Sequence, residues 1–409
     1  MTKLAELIDE LCPDGVEYKK LGECLIPTQN IKWKQVSNNL KYSYIDLTSV
    51  NRDTHKIEET ATISSDSAPS RAQQIIKKDD VIFATTRPTL MRYCIIDDNY
   101  NDSICSTGFC VLRSNTNLVL PKWIYHNVSS KSFEFYVKNH QQGASYPSIT
   151  DKEVKKYLIP VPPLEIQREI VRILDKFTEL TAELTAELTA REQQYEYYLN
   201  KVFESEKNVQ WKSMGDLFPQ IRNGFVGTIK PYFTDKEHGV RYLEGTNIHD
   251  GTISDNEVLY VTKEFHQKHI NNALKADDIL MVQSGHIGEC AVVGDKYKGA
   301  NCHALIIMSN GGKCDSQYVS YYFHSNKGRK SLKPAITGGT IKHVLATKMK
   351  NVKIPVPPLA EQQRIVDVLD RFDAICHDLT AGLPAEIEAR QKQYEYYRDK
   401  LLTFKRKEA

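Results

Sequence analysis

The chain contains much of itself twice. Ile159-Pro160-Val161-Pro162-Pro163-Leu164 returns 195 residues later as Ile354-Pro355-Val356-Pro357-Pro358-Leu359. The match continues through Gln167 and Gln362, Ile170-Val171 and Ile365-Val366, Leu174-Asp175 and Leu369-Asp370, and Phe177 and Phe372. Farther on, Gln194-Tyr195-Glu196-Tyr197-Tyr198 recurs as Gln393-Tyr394-Glu395-Tyr396-Tyr397, now 199 residues apart, so the second copy has gained four residues between the landmarks. Weaker echoes pair Val16-Glu17-Tyr18-Lys19 with Val209-Gln210-Trp211-Lys212, Tyr44-Ile45 with Tyr242-Leu243, and Asp79-Asp80-Val81-Ile82 with Asp277-Asp278-Ile279-Leu280. A period far longer than any solenoid repeat means a duplicated domain with its helix, and hence a pseudo-two-fold molecule. The 409 residues suffice for two cores of ordinary size plus connecting helices.

Each proline-rich turn ends a strand-like run and opens a helix, because proline presets φ and its missing N–H costs nothing in a first turn. From about 164 to 203, Ile170, Leu174, Phe177, Thr181, Leu184, Leu188, Arg191, Tyr195, Tyr198 and Val202 mark a heptad seam at alternating steps of four and three. Its middle repeats Thr-Ala-Glu-Leu at 181–184 and 185–188. The second helix, about 359 to 404, carries Ile365, Leu369, Phe372, Leu379, Leu383 and Tyr394. Leu379, Leu383 and Ile387 make two successive steps of four, a stutter that absorbs the extra residues, and Gly382 and Pro384 inside it predict a kink or break. Matching seams in a duplicated chain are expected to pair antiparallel with each other; the alternative is two ordinary amphipathic helices of separate domains.

The globular parts, about 16–158 and 209–353, show short β-rich runs such as Tyr42–Leu47, Asp80–Ala84 and Ile279–Val282, separated by Asn, Asp, Gly and Ser clusters. A helix is predicted near Trp123 to Asn139, with a partner near Ser316 to Lys333. The fold class is α+β: two globular α/β domains with mostly antiparallel, irregular sheets, separated by two long antiparallel coiled-coil helices.

Apolar residues at 41% and charged residues at 26% suit a soluble globular chain. The N-terminus lacks a basic region followed by an apolar run and no 18-residue apolar stretch occurs, so a cytoplasmic protein without membrane contact is expected. Nine cysteines without Cys-x-x-Cys or paired histidines read as reduced, mostly buried small hydrophobes rather than metal ligands. A net charge of +2 gives no general affinity for nucleic acid, so any such charge must be local. It is local between Tyr321 and Lys353, where eight Lys or Arg and no Asp or Glu occur.

Taken together, the duplicated Ile-Pro-Val-Pro-Pro-Leu…Gln…Ile-Val…Leu-Asp…Phe segments, the Thr-Ala-Glu-Leu repeats and the Gln-Tyr-Glu-Tyr-Tyr helix ends resemble the specificity subunits of Type I restriction-modification systems, in the branch called IC. Asp80–Leu90 and Ile104–Phe109 resemble that family's target-recognition sequences. The resemblance covers essentially the whole chain. It implies a target-recognition domain at 1–158, a central spacer helix at 159–205, a second target-recognition domain at 206–353 and a C-terminal spacer helix at 354–409. It implies further that each domain reads one half of a bipartite double-stranded DNA site, and that the helices dock two methyltransferase subunits to which restriction and translocase subunits are added. S-adenosylmethionine, ATP and Mg would then be held only by those partners. One departure is that the second domain carries Gln283-Ser284-Gly285-His286 where the first has Thr-Thr-Arg-Pro, so the two half-sites should differ.

Candidate DNA contacts are side chains that fork onto base edges or neutralise phosphates. In the first domain these are Lys32 and Lys34 beside Gln29 and Asn30, Thr85, Thr86, Arg87 and Arg92, and Ser145 and Tyr146 in the Gly143–Ser148 loop. In the second they are Arg222, Asn223 and Lys230, Gln283, Ser284 and His286, and Arg329, Lys330, Thr340, Lys342 and His343. Arg87 and Arg92 suit guanine, and Gln283 suits adenine. For each, an exposed residue without a role is the alternative. The chain has neither an Asn-Pro-Pro-Tyr-type methylation motif nor a phosphate-binding Gly-x-x-x-x-Gly-Lys loop, so no catalytic centre or metal is expected. A methyltransferase active by itself, a coiled-coil adaptor for proteins and a transcriptional regulator with two readers are the competing readings; the basic, acid-free stretch favours DNA over protein ligands.

Overall fold

The structure is a computed structural model, and it describes residues 2–204, 209–339, 342–378 and 380–408. It divides into two compact units, Met1–Leu184 with Ile387–Ala409, and Thr185–Glu386. Each unit therefore takes in one globular part together with half of each helical region. None of the described helices is long and apolar enough to cross a membrane.

In the first unit, strand β1 (Val81–Ala84) is buried along its whole length and pairs antiparallel with β2 (Tyr93–Ile95) on one side and β3 (Phe109–Leu112) on the other. A five-stranded sheet runs beside it in the order Gln29–Asn30, Ala72–Ile75, Ile104–Ser106, Tyr42–Ile45, Ala61–Ile63. All its pairs are antiparallel except that of Tyr42–Ile45 with Ile104–Ser106. The second unit repeats this plan. Its four-stranded sheet has the order β4 (Gln220–Asn223), β7 (Leu305–Ser309), β5 (Ile279–Val282), β6 (Cys290–Val292). A companion sheet again contains one parallel pair, Gly239–Leu243 with Asn301–Cys302.

The sequence echoes fall on equivalent places. Tyr18 and Trp211 lie opposite Pro160 and Pro355 in the strand pairs that lead into the helices. Tyr44 and Tyr242 sit in the parallel pairs. Asp79 and Asp277 adopt left-handed φ of 68° and 69°, and their N–H groups donate to Ile96 and Val293. The next residues, Asp80 and Asp278, are buried and each meets an arginine, from different directions. Arg113 forks onto Asp80 at 2.7 and 2.8 Å, and this bond raises the guanidinium's proton affinity. Arg222, from β4, approaches Asp278 at 3.6 Å. Each expected single helix before the proline-rich turn is two helices, Pro121–Val128 with Lys131–His140 and Ser316–His324 with Asn326–Ser331. Ser130 and Ser325 interrupt them because each hydroxyl caps the following helix.

Helix α1 (Leu164–Glu204) is continuous over 41 residues. The second helical region is two pieces, α2 (Leu359–His377) and α3 (Leu383–Leu401), broken where the stutter placed the break. Asp378 turns the chain by accepting from Thr380 N–H, and Gly382 N–H donates to Asp378 at 2.9 Å. A Cβ on Gly382 would lie 2.6 Å from the Ala374 carbonyl, so only glycine closes this turn.

The repeated motif fastens the helices to the sheets. Gln167, fully buried, accepts from Leu120 N–H and donates to the Leu118 and Pro162 carbonyls; Gln362 accepts from Asp315 N–H and donates to Pro357. Asp175 meets Lys122 and His126, and Asp370 accepts from the Tyr321 hydroxyl at 2.6 Å. Ile170 and Leu174 are buried in the first core, and Ile365 and Leu369 in the second. Their half of the seam thus serves the globular core, while Leu184, Leu188 and Leu383 are only half-buried. Leu379 lies outside the described residues. In the second unit the helices run antiparallel: Tyr195 packs on His377, and three residues later Tyr198 stacks on Phe372. In the first unit Phe177 stacks on Tyr397, and Tyr394 meets His126 at 3.1 Å. All nine cysteines are free, Cys12 half-buried and the others buried.

Candidate nucleic-acid interface

In both units a loop is fastened to the end of the central strand by the same backbone bond. Ile149 N–H donates to the carbonyl of Thr85, just past β1, at 2.9 Å. Its counterpart, Val344 N–H, donates to the carbonyl of Gln283, just past β5, at 3.0 Å. The Gly143–Ser148 loop and the paired strands Ile336–Thr337 and His343–Val344, on separate stretches of sequence, are thereby brought to strand ends whose residues differ between the copies.

In the first unit, Thr85 is buried, and its N–H and hydroxyl both donate to Gly108, so its side chain serves the fold. Thr86 bridges to Ser148, and Arg87 N–H donates to Pro147 at 2.8 Å. Gln142 and Ser148 exchange two backbone bonds of 2.8 Å and close a hairpin through Gly143 at φ 93°. Ser145 and Tyr146 are exposed at its tip, Tyr146 by 73%. The Arg87 guanidinium lies 5.2 Å from the Tyr146 ring centroid. Arg87 holds φ 48° and ψ 55°, a left-handed conformation that costs a non-glycine residue about 1–3 kcal/mol.

Arg92, expected beside Arg87 as a reader, has another task. Its Nη1 donates to the Leu47 and Val50 carbonyls at 2.8 and 2.7 Å, tying a distant loop to the sheet. Lys32 and Lys34 are exposed, Lys32 lining an open groove with Gln29, Asn30 and Gln35.

In the second unit, Gln283 Nε2 donates to Asn223 Oδ1 at 2.7 Å, joining the ends of β5 and β4. The strands Ile336–Thr337 and His343–Val344 form the facing hairpin, with Lys342 and His343 exposed. Thr340 lies outside the described residues. Ser284 and His286 are exposed, the His286 ring 6.3 Å from that of His249. Arg222 resembles Arg92 in being spent on the fold: it donates to Ser309 Oγ at 2.7 Å and to the Ala273 carbonyl. Lys230 is exposed on a separate turn, Lys230–Tyr232.

The acid-free run is divided in space. Lys327 donates to the Phe203 carbonyl at the end of α1 and lies 5.1 Å over Trp211, and Arg329 reaches Glu289 at 3.7 Å. Lys330, Lys333, Lys348 and Lys350 remain exposed.

A second surface also recurs, one that sequence reasoning passed over. Tyr197 on α1 and Tyr396 on α3 are exposed by 57% and 60%, with Lys201 and Lys400 at 5.1 and 5.8 Å over their rings. Each lines an open groove with a preceding glutamate, Glu196 or Glu395. The signal was present in the Gln-Tyr-Glu-Tyr-Tyr repeat: its first and third tyrosines each meet an aromatic ring on another helix, while the second is repeated although the ring it meets is that of the adjoining tyrosine.

Two sheet-bearing units, built on one plan, each fastened to helix segments and offering a hairpin at a strand end, define a duplicated two-domain protein. The chain matches the model of the family described as the Type I restriction modification DNA specificity domain twice, over residues 13–191 and 206–389, and it belongs to the Type I restriction-modification specificity-subunit family. It is 34% identical over 73% of its length to the Type I restriction enzyme EcoR124I/EcoR124II specificity subunit of Escherichia coli, covering 74% of that protein. A solved structure from a study of complex assembly and conformational transition of the type I R-M system superposes with a TM-score of 0.66 at 25% identity, over 95% of this chain and 97% of that one. The specificity subunit HsdS of Thermoanaerobacter tengcongensis gives 0.50 at 25% identity, over 96% and 97%. Members of this family are the non-catalytic, DNA-recognising components that assemble with modification and restriction subunits.

Proposed function

We propose that this chain reads a bipartite, asymmetric double-stranded DNA site, one half per unit, and docks two methyltransferase subunits through its helices, with restriction and translocase subunits added to that core. The carrying observation is the shared backbone bond that sets a hairpin against a strand end in both units while the side chains there differ: exposed Arg87 and Tyr146 in one, exposed Asn223 and His343 with half-buried Gln283 in the other. A common frame with different hydrogen-bonding groups is what two unlike half-sites require. The repeated Glu-Tyr…Lys surfaces at Tyr197 and Tyr396 support docking of one kind of partner twice, since exposed tyrosine is a favoured interface anchor. S-adenosylmethionine, ATP and Mg belong on the partners, and the complex works in the cytoplasm. The Thr-Ala-Glu-Leu repeat, in the middle of α1, supports an IC-like branch, in which it would set the spacing of the half-sites.

Co-purification with a co-expressed methyltransferase tests this. The account expects one chain to two methyltransferases, and sequence-specific methylation only from the complex. Methylation by the chain alone, or failure to retain the methyltransferase, would contradict it.

A further inference from the structure

Position for position, Arg87 in the first unit corresponds to Gly285 in the second, 198 residues on, the offset that relates Asp80 to Asp278. Both positions are left-handed, with φ 48° at Arg87 and φ 80° at Gly285. The frame thus asks for glycine after the central strand, and the second unit supplies it. Nothing lies within 4 Å of where a Cβ on Gly285 would stand, so this turn does not need a side chain for packing. The first unit nevertheless places arginine there and bears the backbone strain.

The arginine's head is held without being consumed. Its backbone N–H is fixed to Pro147, and its guanidinium rests on the Tyr146 ring. A guanidinium held over an aromatic ring by cation–π attraction keeps its N–H donors free for another acceptor. Among the described residues Arg87 makes no ion pair, whereas Arg92 and Arg222 are tied to carbonyl and side-chain oxygens. Two coplanar donors on a fixed arm match the O6 and N7 acceptors on the major-groove edge of guanine.

We infer that Arg87, positioned by Tyr146, reads a guanine in the half-site of the first unit, and that the second unit has no equivalent reader. This rests on the DNA-reading function proposed above. The test is methylome sequencing of a host expressing the full chain with its methyltransferase, wild type and variants. Arg87→Gly copies the second unit and relieves the strain, so its melting temperature should match or exceed wild type. It should lower discrimination roughly ten- to hundredfold at one G·C pair of one half-site and leave the other half-site unchanged. Tyr146→Ala should weaken discrimination at that same pair, and Tyr146→Phe should restore it.

An unchanged preference at every position would overturn the inference. So would a uniform loss across all sites, which marks a phosphate contact, or relaxation at an A·T pair. A Tyr146→Ala variant with wild-type discrimination would overturn the positioning role. A wild-type complex without sequence-specific methylation would instead overturn the DNA-reading function, and this inference with it.

Discussion

Phe177 stacks on Tyr397 with ring centroids 5.5 Å apart and planes at 21°, and the repeat-related rings of Phe372 and Tyr198 stack at 5.4 Å and 28°. Each unit therefore joins the start of one helix to the end of the other, and the duplicated motif is used twice in reciprocal fashion. Phe177→Ala and Tyr397→Ala should each destabilise the first unit, and a double-mutant cycle should give a coupling of about 0.5–1.5 kcal/mol. Urea denaturation of the four proteins measures it. A coupling near zero would mean that the stack is incidental.

The buried glutamines offer a sharper test of how the helices are fastened. Gln167→Leu removes the acceptor for Leu120 N–H, and Gln362→Leu the acceptor for Asp315 N–H. Each should cost about 1–3 kcal/mol, because a backbone donor loses its partner on the protein side. Chemical denaturation in which either variant is as stable as wild type would show that water replaces the bond.

Much of this scaffold was legible because the residues responsible are repeated. Gln167, Leu174 and Phe177 face a capping bond, a core or a partner ring, and their copies do the same; Asp175 and Asp370 both turn to the helix before the proline-rich turn, one to Lys122 and His126, the other to Tyr321. The break at Gly382 was legible from local steric chemistry. The reading surface was less so. Arg87 and Arg92 look alike in sequence, and what separates them is the carbonyls of Leu47 and Val50, about forty residues upstream. The same holds for Arg222 and its distant partners Ser309 and Ala273. The basic run between Tyr321 and Lys353 reads as one block along the chain, yet Lys327 and Arg329 turn toward Phe203 and Glu289. Side chains that fold back on long-range partners leave no periodicity to read.

His377 supplies a pH signature. Its Nδ1 lies 2.9 Å from Asp373, a bond that raises the imidazole above its ordinary value despite burial, with Asp250 and Glu192 also contributing. A raised folded value means that the stabilisation is fully present below about pH 6.5 and is lost as pH rises through the folded value. His377→Gln should therefore cost about 0.5–1 kcal/mol near pH 6 and almost nothing near pH 9. Denaturation midpoints at the two pH values decide it; an equal cost at both would assign His377 to packing against Tyr195 alone.

The Thr-Ala-Glu-Leu repeat predicts a geometric result. Four helical residues add about 6 Å and about 40° of rotation, while one base pair advances about 3.4 Å and turns about 34°. Bending absorbs a few ångströms more readily than a rotational mismatch. One further Thr-Ala-Glu-Leu inserted after Leu188 should lengthen the unspecified spacer by one base pair and preserve both half-sites. Methylome sequencing of the insertion variant checks this, and an unchanged spacer would make the repeat only a solvated stretch of helix.

The central claim is that the two units read separate half-sites with different side chains on a common frame. The most direct measurement is the methylome produced by the complex when Asn223 and Gln283, joined by their 2.7 Å hydrogen bond, are both replaced by alanine. The account predicts that base preference relaxes in one half-site, the one untouched by Arg87→Gly, while the other half-site and the spacer stay as in wild type. Altered preference in both half-sites, or in neither, would contradict it.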